Sequence, residues 1–188
     1  MDNREKLLSC ALTLFAERGY DAVGVQEIVE SAGVTKPTLY HYFTNKQGLL
    51  TALLDQYFTV FNKQVAEAAD YHHDVPHTLQ KVTQTYFDFA RQNPVFYRLQ
   101  FSMQFASPES VSYQTVNRYI REQHRPIAIL FSQAAEDHGN MRGRHLLYTA
   151  TFIGMINTYI GWYLSGDIEL EDQLIYQATH QFMHGIFS

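Results

Sequence analysis

Lys36, Thr38, His41 and Tyr42 fall at intervals that place their side chains along one side of a short helix, with Tyr40 on its flank. Ammonium, hydroxyl, imidazole and phenol groups are the donors and acceptors that suit base edges and phosphate oxygens. Leu39 and Phe43, four apart, are expected to face inward, with Val34 closing the turn beneath them. Thr35 is expected to cap this helix. Pro37 lies in its first turn, where a missing N–H costs little, and a helix N-terminus itself attracts phosphate. Asn45 is expected to cap the following helix, which puts Lys46 in its first turn within reach of a backbone phosphate. No carboxylate occurs between Ser31 and Ala52, although the net charge is −5 and residues 1–50 hold five Lys/Arg against six Asp/Glu. Any contact with a polyanion must therefore rest on a local patch, since the bulk charge opposes it.

The elements that position this set read as helices throughout. A first helix over Arg4–Arg18 carries the stripe Leu7, Leu8, Ala11, Leu14 and Phe15 and stops at Gly19. A second over Val25–Ala32 starts at Gly24, a weak N-cap, and breaks at Gly33. Two short helices around a glycine turn, the second with an exposed polar face, are helix-turn-helix geometry. A long helix follows from Lys46 to about Ala69. Further helices are expected over His77–Arg91, from Ser107-Pro108-Glu109 to about His138 with a kink or break at Pro126, over Met141–Leu164 and over Leu170–Phe187. The expected fold is all-α with about nine helices: residues 1–46 form a DNA-binding headpiece and residues 47–188 a helical body.

The run LFAERGY, then IVESAGV, then TKPTLYHYFTNKQGLL resembles the tetracycline-repressor (TetR) family of bacterial transcription regulators over roughly the first 50 residues, most specifically at Tyr40, Phe43 and Lys46. The resemblance implies roles near base edges for Gln26, Thr35, Lys36, Thr38 and His41, and mainly phosphate contacts for Tyr40, Tyr42 and Lys46. It departs from the family's usual pattern at Gly24, Pro37 and Gly48, where threonine, glycine and an acidic residue are common. The expected function is a ligand-responsive regulator, a repressor by preference, that binds a palindromic operator in double-stranded DNA as a homodimer. A small, largely apolar effector would release it. The alternative is a helical-bundle ligand carrier or enzyme that does not bind DNA.

Beyond the headpiece, Tyr86, Phe89, Tyr97, Phe101, Phe105, Tyr119, Phe131 and Phe152 exceed what a small core needs. Core packing is the first reading of each. With the family in mind, some of them, with Met155, Tyr159 and the orienting Arg98, are expected to line an effector pocket. Thr151, Gly154, Thr158 and Gly161 form a small-residue stripe, matched in the last helix by Leu174, Ala178, Phe182 and Gly185, and the family implies dimerisation through these two helices. No Asp, Glu, Lys or Arg occurs between Arg144 and Asp167, but polar residues punctuate the segment, so it is expected to be a buried helix that does not cross a membrane. The single cysteine, Cys10, rules out an internal disulfide and fits a cytoplasmic protein. Neither the His72, His73 and His77 group nor the His180/His184 pair has the frame of a metal site. No phosphate-binding glycine loop, G-x-S-x-G elbow or Glu-x-x-His pair is present, so no enzyme activity and no cofactor are expected.

Overall fold

The computed structural model describes residues 2–185. Helix formation starts at Asp2, whose carboxylate accepts the Glu5 amide at 2.7 Å while Glu5 accepts the Asp2 amide at 3.1 Å, a reciprocal capping box. Nine α-helices follow among the described residues: α1 (Asn3–Arg18), α2 (Val25–Ala32), α3 (Lys36–Phe43), α4 (Lys46–Ala68), α5 (Val75–Gln92), α6 (Pro94–Gln104), α7 (Val111–Asp137), α8 (His145–Ser165) and α9 (Asp172–His184). The all-α expectation agrees with this order.

Four differences lie further along. α5 begins two residues early, because the Asp74 carboxylate accepts the His77 amide at 3.0 Å and Pro76 fits a first turn. The aromatic stretch after Asn93 is itself a helix, α6. α7 runs through Pro126 as one helix, and α8 starts only at His145, after a 3₁₀ turn over Gly139–Met141 and the left-handed Gly143. The expected end of the last helix at Phe187 lies outside the described residues.

The chain divides into two compact units: residues up to Val60 with Val95–Ile120, and Phe61–Pro94 with residues from Arg121 onward. In the first, Leu7, Phe15, Ile28, Leu39, Leu49, Leu50 and Leu54 are fully buried. Phe58 stacks on Tyr119 at 5.0 Å and meets Phe96 edge-on at 5.4 Å. The Tyr119 hydroxyl donates to the Asp55 carboxylate and accepts from Arg118. Burial, then the Asp55 bond, pushes the Tyr119 phenol up to about 12.

In the second unit Phe61 stacks on Phe89 at 3.7 Å and meets Tyr86 at 5.0 Å, and α5 packs against α8 and α9. The Tyr71 hydroxyl and the His73 ring both reach Asp137 at 2.7 Å and hold its carboxyl below the usual carboxylate range. No helix among the described residues is long and apolar enough to cross a membrane.

Phe58→Ala removes two ring contacts and opens a cavity at a site with no exposed surface. It is expected to destabilise the protein by roughly 3–5 kcal/mol, read as a lower urea midpoint at unchanged slope.

Candidate nucleic-acid interface

Eight residues are too few for a stable isolated helix, so α3 exists because its neighbours hold it. Leu39 has no exposed surface and Phe43 almost none. Lys36, Pro37, Tyr40, His41 and Tyr42 are exposed and Thr38 half-buried, so the inward and outward faces divide as the spacing predicts. The His41 and Tyr42 rings meet edge-on at 5.1 Å, which presents imidazole and phenol side by side. At the other end Gly33 takes the left-handed conformation, φ 64° and ψ 34°, in the turn between α2 and α3.

Thr35 has the extended backbone of an N-cap, but its hydroxyl bonds no helix amide. It pairs instead with the Thr38 hydroxyl at 2.9 Å, leaving the first-turn amides of α3 without that cap. Asn45 behaves as expected, its side chain accepting the Gly48 amide at 2.7 Å. Gln26 is exposed on α2 and bonded to Glu30, and the ion pair of Arg18 with Glu27 ties α1 to α2.

Lys46 is half-buried at the start of α4. Its ammonium donates to the Tyr20 and Val23 carbonyls, each at 2.9 Å, and lies 4.1 Å from the centre of the Tyr20 ring. Burial lowers its pKa, with Asp21 opposing. Arg4, given no role by spacing, is brought by α1 to 5.6 Å from the Phe43 ring, which adds an exposed cation beside α3. Only the packing of α1 on α3 makes that neighbour visible.

The remaining expected residues fall into both units. The rings of Tyr97 and Phe101 on α6 and of Phe105 just past its end meet in series, but Phe105 is 80% exposed and Arg98 is exposed, so neither is enclosed within its unit. Tyr119 stacks on Phe58 as part of the first unit's core. Tyr86 and Phe89 pack on Phe61, while Phe131 and Phe152 meet each other at 5.9 Å in the second unit. Met155 and Tyr159 are half-buried, and Tyr159 lies edge-on to Trp162. A surface recess of about 380 Å³ in the second unit has Phe89 on its wall, among mainly polar neighbours including Lys81, Thr85 and Asp88.

In the proposed dimer stripes, Thr151, Gly154 and Thr158 are exposed on α8 and Gly161 partly so. Leu147, Trp162 and Ser165 extend the same face, with Leu147 67% exposed. The stripe of the last helix is mixed in burial. Ala178 has no exposed surface, Leu174 is half-buried, and Phe182 packs on Phe152 at 5.1 Å and Phe131 at 6.0 Å. α9 exposes Gln173, Tyr176, Gln177 and His184, and Gly185 just past its end is exposed as well. The rings of Tyr176, His180 and His184 follow one another along this helix. No group of three metal-ligating side chains occurs among the described residues.

α2, the Gly33 turn and the exposed short α3 form a helix-turn-helix within an all-helical chain. Residues 7–53 match the model of the bacterial regulatory proteins of the tetR family. It is 33% identical over 113 residues to the HTH-type transcriptional activator FasR of Mycolicibacterium smegmatis, covering 60% of this chain and 52% of that one. It is 44% identical over 59 residues to the HTH-type transcriptional repressor ComR of Escherichia coli, covering 31% and 28%. The match thus spans about half the length of the first relative and less of the second. The fold of the whole chain resembles the transcriptional regulator FadR of Bacillus subtilis, solved with stearoyl-CoA, at a TM-score of 0.79, 18% identity, and 97% and 98% coverage.

Arg4→Ala is expected to weaken every duplex alike and to reduce the slope of log affinity against log salt by about 0.9. His41→Ala is expected to change base preference at one position while leaving that slope unchanged. Gel-shift titrations at several salt concentrations on duplexes differing at single positions read both outcomes.

Proposed function

We propose that the chain is a ligand-responsive transcription regulator that binds a palindromic operator in duplex DNA as a homodimer. One observation carries the reading: α3 presents Lys36, Thr38, Tyr40, His41 and Tyr42 outward from a stretch free of carboxylates, inside the segment that matches the tetR family. Residues 1–46 act as the DNA-binding headpiece and residues 47–188 as the effector and dimerisation domain. Lys36, Thr38 and His41, with Gln26 and Thr35, lie near base edges; Tyr40 and Tyr42 reach phosphates.

A single headpiece reads half a site, so two copies must set their α3 helices about 34–36 Å apart, one turn of DNA. The exposed α8 face of Leu147, Thr151, Gly154, Thr158 and Trp162 is the surface on which a second copy would pack. Small residues there permit close approach of helices, and the flanking leucine and tryptophan supply apolar area.

The effector is a small, largely apolar molecule held in the helical body. The second unit supports this with buried polar atoms that have no hydrogen-bond partner among the described residues, the Tyr86 hydroxyl and the Gln123 amide nitrogen. Such groups are costly until something pairs with them. The stearoyl-CoA bound by the FadR relative in fold supports a long apolar effector. Release of DNA requires that the effector bind more tightly to a dimer with the wrong headpiece spacing. Repression by blocking promoter access is the expected outcome in the cytoplasm of a bacterium.

Salt-sensitive gel shifts on duplex DNA test the reading, and absence of binding at low salt sinks it. Tyr42→Ala is expected to weaken operator binding at least tenfold with the dimer intact. The double substitution Leu147→Glu with Trp162→Glu is expected to yield a folded monomer in analytical ultracentrifugation, with operator affinity falling in step. A dimer that persists would refute the α8 assignment.

A further inference from the structure

Gln26 and Glu30 stand one turn apart on the exposed side of α2, and the Gln26 amide nitrogen donates to the Glu30 carboxylate. The other acid of this helix, Glu27, is paired with Arg18 of α1. The same interval brings the Gln84 amide nitrogen to the Asp88 carboxylate at 2.9 Å on α5, so the shorter acid also reaches a glutamine four residues before it.

A carboxylate only accepts hydrogen bonds, so it takes the NH2 side of a neighbouring amide and never the carbonyl side. Without such a partner the last torsion of a glutamine is broad and two-fold, and its nitrogen and oxygen exchange places. The bond to Glu30 removes that choice at Gln26. Nε2 turns toward Glu30 with one hydrogen spent, and Oε1 with the second hydrogen is left for a contact outside the chain.

In the major groove adenine offers a donor at N6 beside an acceptor at N7, which suits a carbonyl oxygen and one N–H together. Cytosine offers a donor alone and thymine an acceptor alone. Guanine offers two acceptors, which oppose an outward oxygen.

We propose that Glu30 is a positioning residue for base readout: it holds the Gln26 amide with its carbonyl outward, so that this position of α2 selects adenine and rejects guanine. The base assignment rests on the regulator reading above; the amide orientation does not. Glu30 meets no base itself, and its negative charge beside the DNA weakens binding to every sequence alike. It therefore lowers overall affinity while raising discrimination.

The test uses the full chain, a duplex selected by the wild type from a random-sequence pool, copies of it with each base pair replaced in turn, and a scrambled duplex. The base pair at which Gln26→Ala flattens the preference is the one Gln26 reads. There the wild type is expected to favour adenine over guanine by roughly tenfold or more. Glu30→Gln, whose side chain donates as well as accepts, is expected to cut that ratio about threefold. It should bind the scrambled duplex as tightly as the wild type or more tightly, and Glu30→Asp should keep the ratio. A merely structural role for Glu30 would weaken both duplexes and leave the ratio in place, which overturns the proposal. A wild-type preference for guanine, or no base pair flattened by Gln26→Ala, overturns it as well.

The NMR resonances of the Gln26 side-chain amide are the arm independent of DNA. The hydrogen bonded to Glu30 is expected to lie downfield in the wild type and to move upfield in Glu30→Ala, and unmoved resonances overturn the orientation. If the wild type binds neither duplex at low salt, the regulator reading and the base assignment both fail, while this arm still judges the orientation.

Discussion

Burial of Leu39 and Phe43 is the interaction on which the headpiece depends. An eight-residue helix does not persist in water by itself, since nucleation costs more than so few hydrogen bonds return. Two side chains buried almost completely contribute on the order of 2–3 kcal/mol each, enough to hold one face of α3 against its neighbours. Because so few residues do that work, the others are released from packing. Lys36, Tyr40, His41 and Tyr42 can be chosen for what they touch outside the chain, and α3 can change its outward chemistry without losing its place.

Placement of α3 then falls to its ends. The left-handed Gly33 sets the turn before it, and the Thr44-Asn45 junction sets the turn after it. Both turns are short, so small displacements of α1, α2 or the start of α4 would pass directly into the orientation of α3. The ion pair of Arg18 with Glu27 and the bonds from Lys46 restrain those displacements from different sides. Electrostatics in this region are therefore partly structural: two of the cations counted along the sequence are occupied inside the headpiece. Arg4, on the other hand, joins the exposed surface beside α3.

The aromatic residues of the rest of the chain serve first as core. Phe58, Phe96 and Tyr119 form one cluster, and Phe131, Phe152 and Phe182 another, each within its own compact unit. Rings packed on rings leave little room, and among the described residues the buried Tyr86 hydroxyl and Gln123 amide nitrogen have no hydrogen-bond partner. On α9 Ala178 is fully buried while Leu174 and Phe182 are half-buried, and α8 carries small residues on an exposed face.

Period, caps and breakers along the chain determined the all-helical class, the limits of α1 to α4 and the division of α3 into buried and exposed faces, because these are local properties repeated every three or four residues. The same local signals misplaced the start of α5, where Asp74 and Pro76 read as loop but act as cap and first turn, and they could not tell that α7 passes through Pro126. The tertiary structure alone decided which charged groups are spent and which stripe is inward. Lys46 and the carbonyls it holds are more than twenty residues apart, Arg4 meets Phe43 from another helix, and Ala178 is buried by neighbours its own sequence window does not contain. A linear pattern states what a side chain can do; the partners that use it up are brought together only by folding.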